Sequence, residues 1–154
     1  MKLNETQERI HDIVNDETRE ELLTFTILWN LFERNYYATN YSENRMLGMN
    51  SCVKFIEKQS KGNQVIEIIK KIKDYNRKYR DSIDKVYLVK EKNWERFNFL
   101  YNATDIELMI ELGIELCFRV RCNMFHGPKD VYELNDQTEL FKNINSFLEL
   151  FINV

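Results

Sequence analysis

Apolar residues along this chain recur at three- and four-residue steps, the spacing of a helix with one buried face. From about Glu17 to Tyr37, Leu22, Phe25, Trp29 and Phe32 keep that rhythm, and Leu28 and Leu31 widen the stripe. Asn15 or Asp16 is placed to cap its start. The preceding "NETQERIHDIV" is either a separate helix or the first part of one interrupted helix. A third helix is expected from Ser42 to about Gln59, with Met46, Met49, Val53 and Ile56 as its core stripe. "SKGN" should end it, Gly62 supplying a left-handed cap. In the fourth, "QVIEIIKKIKDYNRKYR", Val65, Ile68, Ile69, Ile72, Tyr75 and Tyr79 share one side, opposite most of the lysines and arginines.

Further along, "KVYLVK" fits a short extended piece or a helical turn, and "NWERFNFLYN" a helix. Thr104 followed by Glu107 is a capping box for the next helix, Asp105 to about Phe125. That helix is apolar on most of its circumference, from Ile106, Leu108, Met109 and Ile110 through Leu112, Ile114, Leu116, Phe118 and Val120. Such a helix is central in its bundle or buried between subunits. The last helix is expected from Asp136, with Leu140, Ile144, Phe147, Leu148 and Phe151 on its core face.

Composition narrows the fold to one class. Four glycines and one proline in 154 residues are too few for the many turns of a sandwich or barrel. With 44% hydrophobic residues the chain can build a core, and its length suits one domain. A single all-α domain over residues 1–154, a bundle of about five to six helices, is the expectation. No apolar run approaches the roughly 18 residues of a membrane span, and the polar N-terminus does not read as a secretory signal. Cys52, Cys117 and Cys122 match no zinc spacing, which points to reduced thiols in a cytoplasmic protein. Lys54 to Lys92 holds twelve Lys or Arg against six Asp or Glu, inside a chain whose net charge is −3. A basic middle of this kind is a solvated helix face or a surface for phosphate or an acidic partner.

The chemistry concentrates in "FRVRCNMFHGPKD", residues 118–130, where a buried helix runs into Arg119, Arg121, Asn123 and His126 before Gly127-Pro128. At about 100° per residue, Arg119 and His126 fall roughly 20° apart on a continuous helix, with Asn123 on the same side. Arg121 lies about 140° from His126. The residues ahead of Pro128 should leave helical geometry, so the imidazole can turn toward either arginine. Basic residues before Gly-Pro are also an ordinary helix stop, drawn to the exposed carbonyls of the last turn. A helix stop alone does not account for charge closing a helix that is otherwise buried all round.

"RCNMFHG" resembles the arginine–four residues–histidine signature of HEPN domains, small all-α modules that often act as ribonucleases. "ILWNLFERNYY", residues 27–37, is similar to an early aromatic helix of some members. The resemblance implies a HEPN-like homodimer that cleaves RNA without a metal or other cofactor, the motif of each chain contributing at the subunit seam. On that reading His126 moves protons, helped by an ordinary imidazole pKa of about 6.5. Arg121 holds the phosphate, with Arg119, six residues from the histidine, as second choice. Asn123 orients a phosphate, a ribose hydroxyl or the imidazole. Cys122 stands where many active members carry a polar residue. Glu33, on the early aromatic helix, is the candidate carboxylate opposing the effect of two arginines on the imidazole.

A toxin or phage-defence role, with an antitoxin or regulatory protein as partner, belongs to the same resemblance. The competing readings are a catalytically silent module that binds nucleotide, RNA or a protein, and a bundle whose motif is only a helix stop. Trp94, Phe97, Phe99 and Tyr101, beside Lys90, Lys92 and Arg96, suit base stacking or the core. His11, on an acidic amphipathic stretch, is expected at the surface. Paired carboxylates, a glycine-rich phosphate loop and a metal-ligand cluster have no counterpart in the sequence.

Overall fold

Asparagines, rather than glycine or proline, open the first three helices. The computed structural model describes residues 4–38, 40–79, 94–125 and 131–152. Asn4 caps α1 (Glu5–Ile13) in a reciprocal capping box with Gln7. Asn15 caps α2 (Asp16–Tyr36) by accepting from the Thr18 N–H at 2.8 Å. Asn40 caps α3 (Tyr41–Lys58) in the same way, from the Glu43 N–H at 3.1 Å. Next come α4 (Gly62–Tyr79), α5 (Trp94–Asn102) and α6 (Ile106–Phe125). A 3₁₀ segment (Val131–Gln137) leads into α7 (Thr138–Glu149).

The fold is all-α, a single bundle, and no strand occurs among the described residues. Among the described residues seven α-helices stand against the five to six expected, in part because Val14 and Asn15 separate the first two completely. Helix α7 is the hub: it packs on α2 and α4, with Leu140, Phe141, Ile144, Phe147 and Leu148 buried. Helix α6 runs through the interior against α4, α5 and α3. At Gly113 an added Cβ would lie 2.3 Å from the Phe147 ring, so glycine sets how closely α6 approaches α7.

Polar ties fix the N-terminal helices to this hub. Asn135 accepts from the Asn15 N–H at 2.9 Å and donates to the Ile13 carbonyl at 3.0 Å. The Thr18 and Thr138 hydroxyls meet at 2.6 Å, and buried Asn145 donates to the Glu21 carbonyl at 2.9 Å.

Most of the expected core faces are buried, and the departures are local. Met46 is exposed rather than part of the α3 stripe. Gly62 does not end α3 but is the first residue of α4; the left-handed position falls to Ser60, with φ of 54°. There the Lys61 N–H reaches the Ile56 carbonyl and the Ser60 N–H the Glu57 carbonyl, the two bonds of a Schellman motif. The apolar girth of α6 is spent inside its own chain, since Ile110, Leu112, Ile114, Leu116, Phe118 and Val120 are all buried. The helix is therefore central in its own bundle rather than an open subunit contact. The last α-helix begins at Thr138, two residues later than expected, because the 3₁₀ segment occupies Asp136 and Gln137. "KVYLVK" and the side chains of Tyr79 and Trp94 lie outside the described residues.

Candidate functional site

The turn from α2 to α3 builds one wall of a cleft. Glu33 accepts from the Tyr41 N–H at 3.1 Å, satisfying a donor at the start of α3. Asn44 donates to the Tyr37 and Asn40 carbonyls, each at 3.1 Å. This closed turn stacks the Tyr37 and Tyr41 rings edge to face, 4.9 Å apart. Gly48 lets the Tyr37 ring lie on α3: a Cβ there would stand 2.2 Å from it. Tyr41 packs in turn on Phe118 of α6 at 4.8 Å and on Trp29 of α2 at 5.6 Å.

On that aromatic wall sits a buried acid. Glu115, 8% exposed at the middle of α6, accepts a hydrogen bond from the Tyr41 hydroxyl and another from Arg45 at 3.0 Å, both on Oε1. The Arg45 guanidinium also lies 5.0 Å above the Tyr41 ring and 5.4 Å above Phe118. Burial, and then the charge of Glu115, push the Tyr41 hydroxyl well above the ordinary tyrosine range, which keeps it a donor.

Glu111 and Arg119 stand one helical turn before and after Glu115, so the three line one face of α6. Glu111 pairs with Arg96 of α5. Between α3, α5 and α6 these groups enclose a cleft of about 320 Å³. Arg45, Arg96, Arg119, Glu111 and Glu115 supply its charge, and Phe97, Leu100 and Ile114 its apolar lining. Arg119 and the paired Arg45 and Arg96 thus set guanidinium groups beside an aromatic and apolar floor, an arrangement that suits a ligand with an anionic part and a planar or apolar part.

The expected site residues fall in different places. Arg119 is half-buried, with Nε shielded from solvent, and lines the cleft. Arg121 is half-buried about 200° further round α6 and is not among the cleft-lining residues. Asn123 belongs to the last turn of α6, but its side chain, and His126 altogether, lie outside the described residues. Glu33 is engaged at the α3 start and is not among the cleft-lining residues.

Of the other residues named from sequence, Phe97 is core and Tyr101 half-buried, while Phe99 is exposed with Arg96 5.8 Å above its ring. His11 is at the surface, 3.4 Å from Asp16. The thiols of Cys52 and Cys117 are buried and that of Cys122 half-buried, all free. No three His, Cys, Asp or Glu side chains gather as a metal-holding group among the described residues. None of the described helices is long and apolar enough to cross a membrane.

Glu115, Arg45 and Tyr41 were not expected at a site. The one signal for them was Glu115 itself, an acid set in the middle of "LMIELGIELCF", where burial demands a partner. Neither the models of known protein families, nor curated proteins, nor solved structures match this chain.

Proposed function

We propose that this chain is a metal-independent endoribonuclease of the HEPN type, working as a homodimer. The observation that carries the reading is Arg119, a half-buried guanidinium near the end of a buried helix, opening onto a charged cleft of about 320 Å³. Arg119 rather than Arg121 is then the arginine that holds the scissile phosphate, because it shares the cleft with Arg45 and Arg96. The reaction is attack of a ribose 2′-hydroxyl on the adjacent phosphorus, breaking the bond to the 5′-oxygen. His126 takes or returns the proton, Arg119 offsets the charge that develops on the phosphate oxygens, and the products are a 2′,3′-cyclic phosphate and a 5′-hydroxyl. A toxic or defensive role, restrained by a partner protein, belongs to the same proposal through the resemblance. Expression of the wild-type chain in bacteria should arrest growth, and His126→Ala should relieve the arrest. Unimpeded growth with soluble wild-type protein present would count against the toxic role.

One observation favours a second reading, a silent module that binds nucleotide or RNA without cutting it. Arg45 and Arg96 are already paired with Glu115 and Glu111, so the cleft is weakly charged for a polyanion. Binding of RNA by the wild-type chain with no cleavage would select this reading.

A further inference from the structure

Helix α2 carries an apolar stripe that its own bundle does not use. Leu23, Ile27 and Leu31 are 63%, 52% and 40% exposed, at four-residue steps along the outer face. Phe25, Leu28, Trp29 and Phe32 fill the core from the other side. Three large aliphatic side chains in line on a water-facing helix mark a contact surface. The polar residues around them show what kind of surface fits.

The stripe is symmetric about Ile27. Leu23 and Leu31 stand four residues to either side of it, exposed Glu20 and Arg34 seven residues to either side. Neither Glu20 nor Arg34 takes part in an ion pair among the described residues. We propose that α2 packs against the α2 of a second copy, antiparallel, about a two-fold axis passing at Ile27. Ile27 then meets its own counterpart, each Leu23 meets the other copy's Leu31, and each Glu20 meets the other copy's Arg34. Thr24 and Asn30, three residues to either side of the axis, form the polar flank. Such an isologous contact satisfies both ends of the stripe at once. A parallel arrangement would instead set Glu20 on Glu20 and Arg34 on Arg34, which like-charge repulsion opposes. The seven-residue spacing of Glu20, Ile27 and Arg34 keeps all three on one seam when two helices cross at a shallow angle.

The inference gives the homodimer of the proposed function a contact surface and to that extent rests on that reading; RNA cleavage by a dimer indifferent to Ile27→Asp would sink the surface and leave the activity standing. Residues 20–34 span roughly 21 Å of helix, a short contact, so the dimer is expected to dissociate on dilution. Sedimentation equilibrium of the full chain should show a concentration-dependent dimer that Ile27→Asp abolishes, with unchanged helical circular dichroism. Glu20→Arg or Arg34→Glu alone should weaken association about tenfold, since two pairs turn from attractive to repulsive. The double reversal should restore it. An Ile27→Cys chain should cross-link to itself under mild oxidation where the wild type, with its own three cysteines, does not. A wild-type chain that stays monomeric at the highest attainable concentration overturns the proposal. So does a dimer indifferent to Ile27→Asp, or a double reversal that fails to recover.

Discussion

Arg45 of α3 reaches across to Glu115 of α6 at 3.0 Å, and the Tyr41 hydroxyl donates to the same carboxylate oxygen. Two helices 70 residues apart in sequence are thereby locked at the cleft that Arg119 lines. Glu115→Leu would leave the buried Tyr41 hydroxyl without its acceptor, at about 1–3 kcal/mol. The half-exposed Arg45 pair adds about 0–1 kcal/mol more. Glu115→Gln keeps an acceptor oxygen and should cost clearly less. Urea denaturation of the two variants checks the order; equal losses would mean that the charge, not the hydrogen bond, sets the cost.

Gly113 lets α6 and α7 approach until the Phe147 ring fills the place of a side chain. Gly113→Ala should destabilise by about 1–3 kcal/mol through overpacking. Phe147→Leu, itself destabilising, should relieve part of that penalty when the two are combined, giving a favourable coupling in a double-mutant cycle. Additive losses would contradict the contact.

Ser60 occupies the left-handed position of the α3 Schellman motif, where a side chain is strained. Ser60→Gly should raise stability, by about 1 kcal/mol. Thermal unfolding is the measurement, and an unchanged or lower midpoint would contradict the assignment.

Alkaline pH should loosen the fold. Burial pushes the Tyr36 hydroxyl up to about 12 and the Cys52 thiol up to about 12, and raises Tyr37, Tyr41 and Cys117 further. The unfolded chain releases these protons from about pH 9 to 10. Between that point and about pH 12 the unfolded state binds fewer protons than the folded one, so stability falls as pH rises. Below about pH 9 these groups are protonated in both states and their contribution is constant. Urea midpoints should therefore be insensitive to these groups near neutrality and decline from about pH 9 upward. A midpoint still constant at pH 11 would contradict the burial of these groups.

The helices were legible because one-sided periodicity survives in α2, α4 and α7, where Phe25, Ile69 and Phe147 land in the core as their spacing requires. Periodicity failed where apolar residues encircle a helix. In α2, Leu28 and Leu31 both extend the stripe on paper, yet only Leu28 is buried, because the bundle covers one side. Met46 fails for a related reason, lying at the mouth of the cleft rather than beneath it. The start of α4 was misplaced because glycine at a helix boundary serves an N-terminal or a C-terminal role, and sequence alone does not choose between them. Of the cleft-lining residues, Arg119 was named from the sequence, but its surroundings were not. Arg45 meets Glu115 only through tertiary packing, which no local spacing encodes.

Cleavage of single-stranded RNA by the purified chain in excess chelator tests the proposed activity most directly. Products ending in a 2′,3′-cyclic phosphate are expected, with loss of at least about 100-fold in rate for His126→Ala and Arg119→Ala, and a smaller loss for Arg121→Ala. Cleavage that requires a divalent ion, or that persists in His126→Ala, would contradict the proposal.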